Sequence, residues 1–481
     1  MSAALRKPTT LGAQEEDVRR MITLAAGLAL LTAAASSISL AAPSLAPQRE
    51  TATLQDTLLL SREESVARAL ANNTSIRVMR ERVSEAGAAI NEAHTAFLPE
   101  ITGSAGYTRL DTAPYIPASR FLMLGGSGPA AGAMPDRITI GLRDNYSASL
   151  ELRQPLFSGG RIRNTYDISK LARSASESEL DRTVDELVFE AEKSYLKCIE
   201  ALELEQVAQE RVRQLEAHLR DIEAMFETGL AATNDVLKTK VYHSDAKLSL
   251  MRAQHATRLA KNSLANIVGI PFTTEIVLAS PADAGGGITI ELTGAIEAAV
   301  AKRSEIAEME YQRLMALKEI EIDRNGYLPT VAFFAKLGYQ YPDREYERDF
   351  YSSWALGITA QMNVFDWGST VYRTRQARSR LRQIEIAMQR ERDAVVLDVT
   401  RAYLTLVDEW NGIGVARENV TQAEENYRVT NERFKEGLAT NTDLLDAEVL
   451  LTTAKASCRS LVVAYLIARA DLTRAMGGTE H

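Results

Sequence analysis

Two hydrophobic periods run along the chain. Four stretches alternate apolar and polar residues with period two, the pattern of strands with two unlike faces. In 147–154, Ala148, Leu150 and Leu152 face one way, and Ser147, Ser149, Glu151 and Arg153 face the other. Val331, Phe333, Ala335, Leu337 and Tyr339 oppose Lys336, Gly338 and Gln340. Trp354, Leu356, Ile358, Ala360, Met362 and Val364 oppose Gly357, Thr359, Gln361 and Asn363. A fourth stretch, 101–109, is Gly-rich and weaker. Each predicts a strand of about 9–11 residues, enough to cross an outer membrane when tilted. A half-buried sheet in a soluble protein alternates in the same way, so the period alone leaves both readings open.

Most of the remainder has helical spacing. Residues 61–98 open on Ser61 and Glu64, a capping box, and carry Val66, Ala69 and Leu70 on one face. Residues 291–328 repeat this stretch at an offset of 230, matching Ala69 to Ala299, Ile76 to Ile306 and Pro99 to Pro329. Both end at aromatic-Leu-Pro, where proline stops the helix. Two longer stretches, 161–228 and 369–436, run without proline and predict helices on the order of 100 Å in coiled-coil packing. Gly412 and Gly414 predict a local bend or a close helix approach in the second.

Each long helix ends at a related turn, Gly229-Leu230-Ala231-Ala232-Thr233-Asn234-Asp235 or Gly437-Leu438-Ala439-Thr440-Asn441-Thr442-Asp443. Another Ala/Leu-rich helix follows each turn. The turns lie 208 residues apart, the offset that also relates Phe157 to Phe365, Tyr195 to Tyr403 and Leu264 to Leu472. One structural unit is therefore written twice. The expected divisions are repeats at 61–270 and 291–478, with a Pro/Gly-rich linker at 271–290. Residues 1–41 read as a signal peptide: Arg19-Arg20, an apolar run from Met21 to Leu31, then small residues ending Ser39-Leu40-Ala41. Residues 42–60 form an N-terminal extension. The 110–137 segment carries Gly125-Gly126-Ser127-Gly128 but no following Lys-Ser/Thr, so it predicts an extracellular loop rather than a phosphate loop.

Composition narrows the chemistry. A net charge of −9 over 481 residues offers no basic patch, which argues against nucleic acid. Cys198 and Cys458 occupy non-equivalent repeat positions and predict small buried thiols, with no disulfide framework. Five scattered histidines give no ligand-spaced pair, so no metal or cofactor is expected. Nor is there a catalytic constellation, so the chain does not read as an enzyme. After the signal no run reads as apolar enough for a membrane helix, and insertion would use strands. Four strands cannot close a barrel; three copies would give twelve and leave no edge.

The duplicated helix–strand–strand–helix plan, aromatic-Leu-Pro before the first strand, Pro155-Leu156-Phe157-Ser158-Gly159-Gly160 after the second, and Gly-Leu-x-x-x-x-Asp-x-Leu at the turn resemble the TolC family of outer-membrane efflux proteins. The resemblance covers 61–478. It implies a mainly α fold with a transmembrane β-barrel: a long coiled α-barrel plus four strands per protomer, in a homotrimer closing a 12-strand barrel. It also implies outer-membrane lipid around the strands, a periplasmic adaptor protein and an inner-membrane pump as partners, and passive conduction of small toxic compounds to the exterior. The alternative within the family is the outlet of a type I protein secretion system. A soluble coiled-coil scaffold is the reading from another class, and the clean alternation of Trp354 to Val364 speaks against it.

The resemblance further implies that Gly229, Leu230, Gly437 and Leu438 dock the adaptor, and that Asp235, Asp443 and Asp446 line an acidic periplasmic entrance. Asp443 and Asp446 share a helix face, so threefold symmetry would gather six carboxylates at one aperture. The same aspartates suit the first turn of a helix, where they complement free N–H groups. In one respect the sequence departs from the family. An arginine and a tyrosine that hold the entrance shut are here Ala439 and Phe434. Lys238, aligned with Asp446 in the repeat, predicts a Lys238–Asp446 contact in their place.

Overall fold

The computed structural model describes residues 57–117, 137–279, 288, 290–343 and 349–478. The signal peptide, most of the 42–60 extension and the centre of the 110–137 loop lie outside the described residues. In chain order the elements are β1 (Thr57–Leu60), α1 (Arg62–Asn72), α2 (Thr74–Thr95), β2 (Glu100–Arg109), β3 (Tyr115–Pro117), β4 (Arg137–Thr139) and β5 (Asp144–Phe157). Then follow α3 (Arg161–Glu227), α4 (Thr233–Val268), β6 (Glu275–Leu278), α5 (Leu292–Lys302) and α6 (Ser304–Arg324). The chain ends with β7 (Thr330–Tyr341), β8 (Tyr351–Gln361), α7 (Ser369–Lys435) and α8 (Asn441–Ala475). The four expected strands and both long helices are present, each long helix 67 residues.

These elements fall into two units. One holds residues 91–166 and 321–374. Its centre is a four-stranded antiparallel sheet in the order β2-β5-β7-β8. Facing residues of an antiparallel sheet share a side, so the register sorts the faces. One side carries the rows Ile101–Leu152–Ala335–Leu356 and Gly103–Leu150–Leu337–Trp354. The other carries Thr102–Glu151–Lys336–Ala355 and Ser104–Ser149–Gly338–Ser353. On the apolar side Trp354 is 73% exposed and Ile358 66%. The polar side is knitted by the Ser104–Ser149 hydroxyl pair at 2.8 Å and by Lys336 with Glu151 at 3.9 Å. Next to the undescribed loop centre, β3 and β4 pair as a short hairpin.

The other unit holds described residues 57–90, 167–320 and 375–478. Two helical hairpins, α3–α4 and α7–α8, share a core in which Tyr195, Leu264 and Val268 of the first meet Val399, Tyr465 and Leu472 of the second. Gly412 approaches its neighbour closely, since a Cβ there would lie 3.4 Å from Leu461. Gly414 faces open space, and α7 continues unbroken through both. Cys198 and Cys458 are free; Cys198 is buried, which pushes its thiol up to about 11. The helix α8 departs from expectation: it has an 18-residue window of mean hydropathy 1.3, long and apolar enough by length and composition to cross a membrane. Its Val463, Tyr465 and Leu472 are instead core residues of the hairpin pair.

Three further features correct the sequence reading. First, 61–98 and 291–328 are not single helices but break at Asn73 and Arg303, both in extended conformation and 230 residues apart. Asn73 accepts the Ser75 N–H at 2.8 Å and donates to the Ile267 carbonyl at 3.1 Å, so its side chain starts the next helix and ties it to α4. Second, the 271–290 linker and the 42–60 extension are not plain connections. Thr57–Leu60 and Glu275–Leu278 pair as a parallel two-stranded sheet that buries Leu60 and Ile276 in the main core.

The third feature is an ion cluster at the Arg303 break. Its guanidinium donates to Glu305 at 2.6 Å, to Asp398 at 2.8 Å and to the Ala475 carbonyl at 3.3 Å; Arg474 also donates to Asp398 at 3.2 Å. Burial alone would raise the Asp398 carboxyl, but the two arginines outweigh it and hold it below the usual range. Since the folded value is depressed, this stabilisation is present above about pH 4 and lost as the pH falls through the folded value. Replacing Arg303 by Met leaves Asp398 and Glu305 short of a buried partner and should destabilise the unit by about 3–5 kcal/mol. Denaturant unfolding of purified protein followed by circular dichroism measures this; an unchanged midpoint would show that the cluster contributes nothing.

Candidate functional site at the helical turns

The two turns are built alike. Gly229 and Gly437 have φ of +79° and +76°, a left-handed conformation that glycine adopts without Cβ strain. The Leu230 N–H donates to Met225 O at 2.8 Å, and the Leu438 N–H to Arg433 O at 2.7 Å. With the Gly229 and Gly437 bonds three residues back, these form Schellman caps that satisfy the last carbonyls of α3 and α7. The leucines themselves point away from the core, Leu230 81% and Leu438 64% exposed.

The helices that leave the turns begin differently. In α8, Asp443 accepts from the Thr440 N–H at 2.8 Å and the Thr440 hydroxyl at 2.7 Å, while that hydroxyl caps the Asp443 N–H at 3.2 Å. Hydrogen bonds from the Thr440 hydroxyl and backbone hold the Asp443 carboxyl below its usual range. In α4 the equivalent Asp235 accepts from the Ala232 N–H at 3.3 Å, but alanine has no side-chain oxygen to cap the Asp235 N–H, which bonds the Ala232 carbonyl at 3.0 Å. Thus Asp235 and Asp443 do helix-start work. Asp446 is exposed one turn on and takes no part in the cap. The predicted Lys238–Asp446 contact is replaced by another: Lys238 Nζ donates to Thr442 Oγ1 at 2.8 Å, Thr442 lying beside Asn441 on the part of α8 that meets α4.

Above the turns the hairpins meet along a packed seam. Ile222, Val236, Phe434 and Leu444 pack as one apolar layer, and Leu215, Ala246 and Leu445 as the next. Polar groups also bridge the hairpins here. Asn441, 5% exposed, joins His218 Nε2 at 2.6 Å, the Asp235 carbonyl at 3.2 Å and Thr239 Oγ1 at 3.2 Å. Seven residues further on α8, Glu448 is 3% exposed and faces Arg211 at 3.3 Å, seven residues back on α3. Burial raises the Glu448 carboxyl, and Arg211 works against that rise.

None of His218, Asn441, Thr239, Thr442, Arg211 or Glu448 was singled out from sequence. A signal existed: Asn441 and Glu448 stand one heptad apart and flank the apolar pair Leu444 and Leu445.

The model of the outer membrane efflux protein family matches residues 66–270 and 295–478. The chain belongs to that family. Among relatives, the pyoverdine export outer membrane protein OpmQ of Pseudomonas aeruginosa is 25% identical over 85% of this chain and 84% of its own length. The alkaline protease secretion protein AprF of the same species is 23% identical over 68% of this chain and 69% of its own. The Campylobacter jejuni CmeC outer membrane channel has the same fold, with a TM-score of 0.71 at 17% identity over 87% of this chain and 85% of that one. This outer membrane efflux protein is accordingly an outer-membrane exit duct that extends into the periplasm, and its family consists of channels rather than enzymes.

Replacing Gly437 by Ala imposes a Cβ on the left-handed position, at about 1–2 kcal/mol. Amide exchange across 433–443 should rise about five- to thirtyfold relative to the parent protein. Mass-spectrometric exchange reads it, and an unchanged rate would show that the turn does not need glycine.

Proposed function

We propose that three copies of the chain close a twelve-strand barrel in outer-membrane lipid, and that the helical turns form the periplasmic end of the duct. There a periplasmic adaptor docks, and an inner-membrane pump delivers small toxic compounds for passive release. The observation that carries this reading is the four-stranded sheet, with one face of exposed apolar side chains and one of hydroxyls and charges. Its outer strands, β2 and β8, each have one unpaired edge within the sheet. Backbone groups cannot stay unpaired in hydrocarbon, so the edges must meet those of other copies. The repeats at 61–270 and 291–478 then supply two strands each.

Leu230 and Leu438, held outward by Gly229 and Gly437, are the surface proposed for the adaptor. Asp235, Asp443 and Asp446 are proposed as an acidic aperture favouring cations, with Lys238 offsetting part of that charge. The Thr440 hydrogen bonds hold the Asp443 carboxyl below its usual range, which favours its ionised form. The export of pyoverdine by a relative matched over 85% of this chain supports small-molecule cargo. The protease-secretion relative supports protein cargo as the second reading.

Two measurements test the proposal. Asp446→Asn in planar bilayers should lower the cation preference read from the reversal potential; an unchanged potential would remove Asp446 from the aperture. Photocrosslinking from position 438 in living cells should capture an adaptor. Co-capture of a proton-driven drug pump supports small-molecule efflux, whereas an ATP-driven protein exporter supports secretion. Capture of neither, with the protein in the soluble fraction, would refute the duct.

A further inference from the structure

The two repeats coincide, residue for residue, in how their strands pair. The offset of 230 that relates the shorter helices also carries β2 onto β7, and the offset of 208 carries β5 onto β8. Glu100 faces Arg153 in the first repeat, and the offsets move this pair onto Thr330 and Gln361, which face each other in the second. At the other end of the strands, Arg109 with Asp144 becomes Tyr339 with Ser352. Register decides which side chains share a face, so the repeats are equivalent blocks of one wall. Within a copy the seam between blocks joins β5 to β7: Arg153 faces Phe334, and Pro155 faces Ala332. Beyond Pro155 the register shifts, and Phe157 faces Val331. The counterpart of that seam runs from β8, one outer strand of the sheet, to β2, the other outer strand, in a second copy.

We propose that β8 of one copy joins β2 of its neighbour in the register of the β5–β7 seam, register shift included. Gln361 then faces the neighbour's Ser104, Asn363 its Thr102 and Phe365 its Ile101. The proposal rests on the duct reading, which supplies the neighbour. The faces agree: Ile358 and Ala360, on the apolar side of β8, meet Tyr107 and Ala105 on the apolar side of β2. Exposure agrees as well. Phe157, at the internal seam, is 47% exposed, whereas its counterpart Phe365, at the open edge, is 71%. Ile101 is exposed, and its counterpart Val331 is half-buried.

Trp367 supplies an independent observation. It corresponds to Gly159, and both are left-handed, with φ of +55° and +61°. Glycine adopts that conformation freely and tryptophan does not. Gly159 sits so near the internal seam that a Cβ there would lie 3.1 Å from Leu328 Cβ. The counterpart of Leu328 is Leu98, which is exposed. The equivalent seam therefore brings Trp367 to the neighbour's Leu98, and the two copies must stand slightly further apart there to admit the side chain. Within its own copy the indole is 86% exposed, with the Phe365 ring at 4.9 Å as its described ring contact. A disfavoured backbone held for a ring that covers so little of its own copy fits a surface provided by the next.

The test is disulfide trapping in the full-length protein in outer-membrane vesicles, with Cys198 and Cys458 replaced by Ser. Gln361→Cys combined with Ser104→Cys should, on oxidation, give linked dimers and trimers on denaturing gels run without reductant. Gln361→Cys with Thr102→Cys, or with Gly106→Cys, represents a slip of two residues either way. That slip takes the Cα atoms beyond the roughly 7 Å that a disulfide spans, so neither pair should link above the single-cysteine variants. Arg153→Cys with Phe334→Cys marks the internal seam and should close within one chain, leaving a single-copy band. Links at 102 or 106 in preference to 104 would overturn the shared register. In a second measurement, Trp367→Gly should lower the temperature at which the native oligomer dissociates, although it relieves strain within each copy; a rise would show that the ring covers nothing in the neighbour. Bilayer conductance separates this proposal from the duct reading. Conducting protein without links at 104 would refute the register alone; links at 104 in protein that does not conduct would refute the duct and leave the register standing.

Discussion

A strand edge at membrane depth has nowhere to turn for hydrogen bonds, and this constraint governs how the chain is used. The sheet β2-β5-β7-β8 satisfies its inner edges through three antiparallel registers and leaves two outer ones. Neither repeat alone supplies more than a two-stranded ribbon. Duplication brings the pair β5–β7 together across the repeat boundary, and the proposed assembly would bring β8 to β2 of a neighbour. The side-chain pattern follows from the same requirement, since the apolar rows would face lipid and the rows with Glu151, Lys336 and the serines an aqueous interior.

At the turns the repeats have diverged in a complementary way. Glu448 is buried against Arg211, but its counterpart 208 residues earlier is Lys240, which pairs with Glu223 on the near surface. His218 corresponds to Asn426 and Asn441 to Thr233, so the His–Asn pair that joins the hairpins is not repeated at the equivalent positions. Polar residues in an apolar helical seam fix register and partner at a cost in stability. Two such contacts a heptad apart discriminate the first hairpin from the second, which identical repeats could not do.

What was legible in the sequence follows from what is local. Long uninterrupted helices, proline stops, glycine turns and period-two strands each write their signal within a few residues. The duplication then placed them in order. The breaks at Asn73 and Arg303 escaped because their cause is through space: Asn73 reaches Ile267, and Arg303 reaches Asp398 and Ala475. Lys238 was matched to Asp446 by repeat alignment, which says nothing about how α8 is rotated against α4; that rotation selects Thr442. The strand β6 hid in a segment read as a connection because four residues are too few to display a period.

That short strand sets an order of events. Its partner β1 lies near the start of the chain, yet Thr57 pairs with Glu275 and Leu60 with Leu278. A newly exported chain therefore cannot bury Leu60 until all of β2 to α4 has followed it. Closing so long a loop is entropically unfavourable unless the intervening helices have already shortened the distance. The first described element of the molecule is thus a late arrival in its own core, and until then its leucines are exposed to whatever holds the chain in an unfolded state.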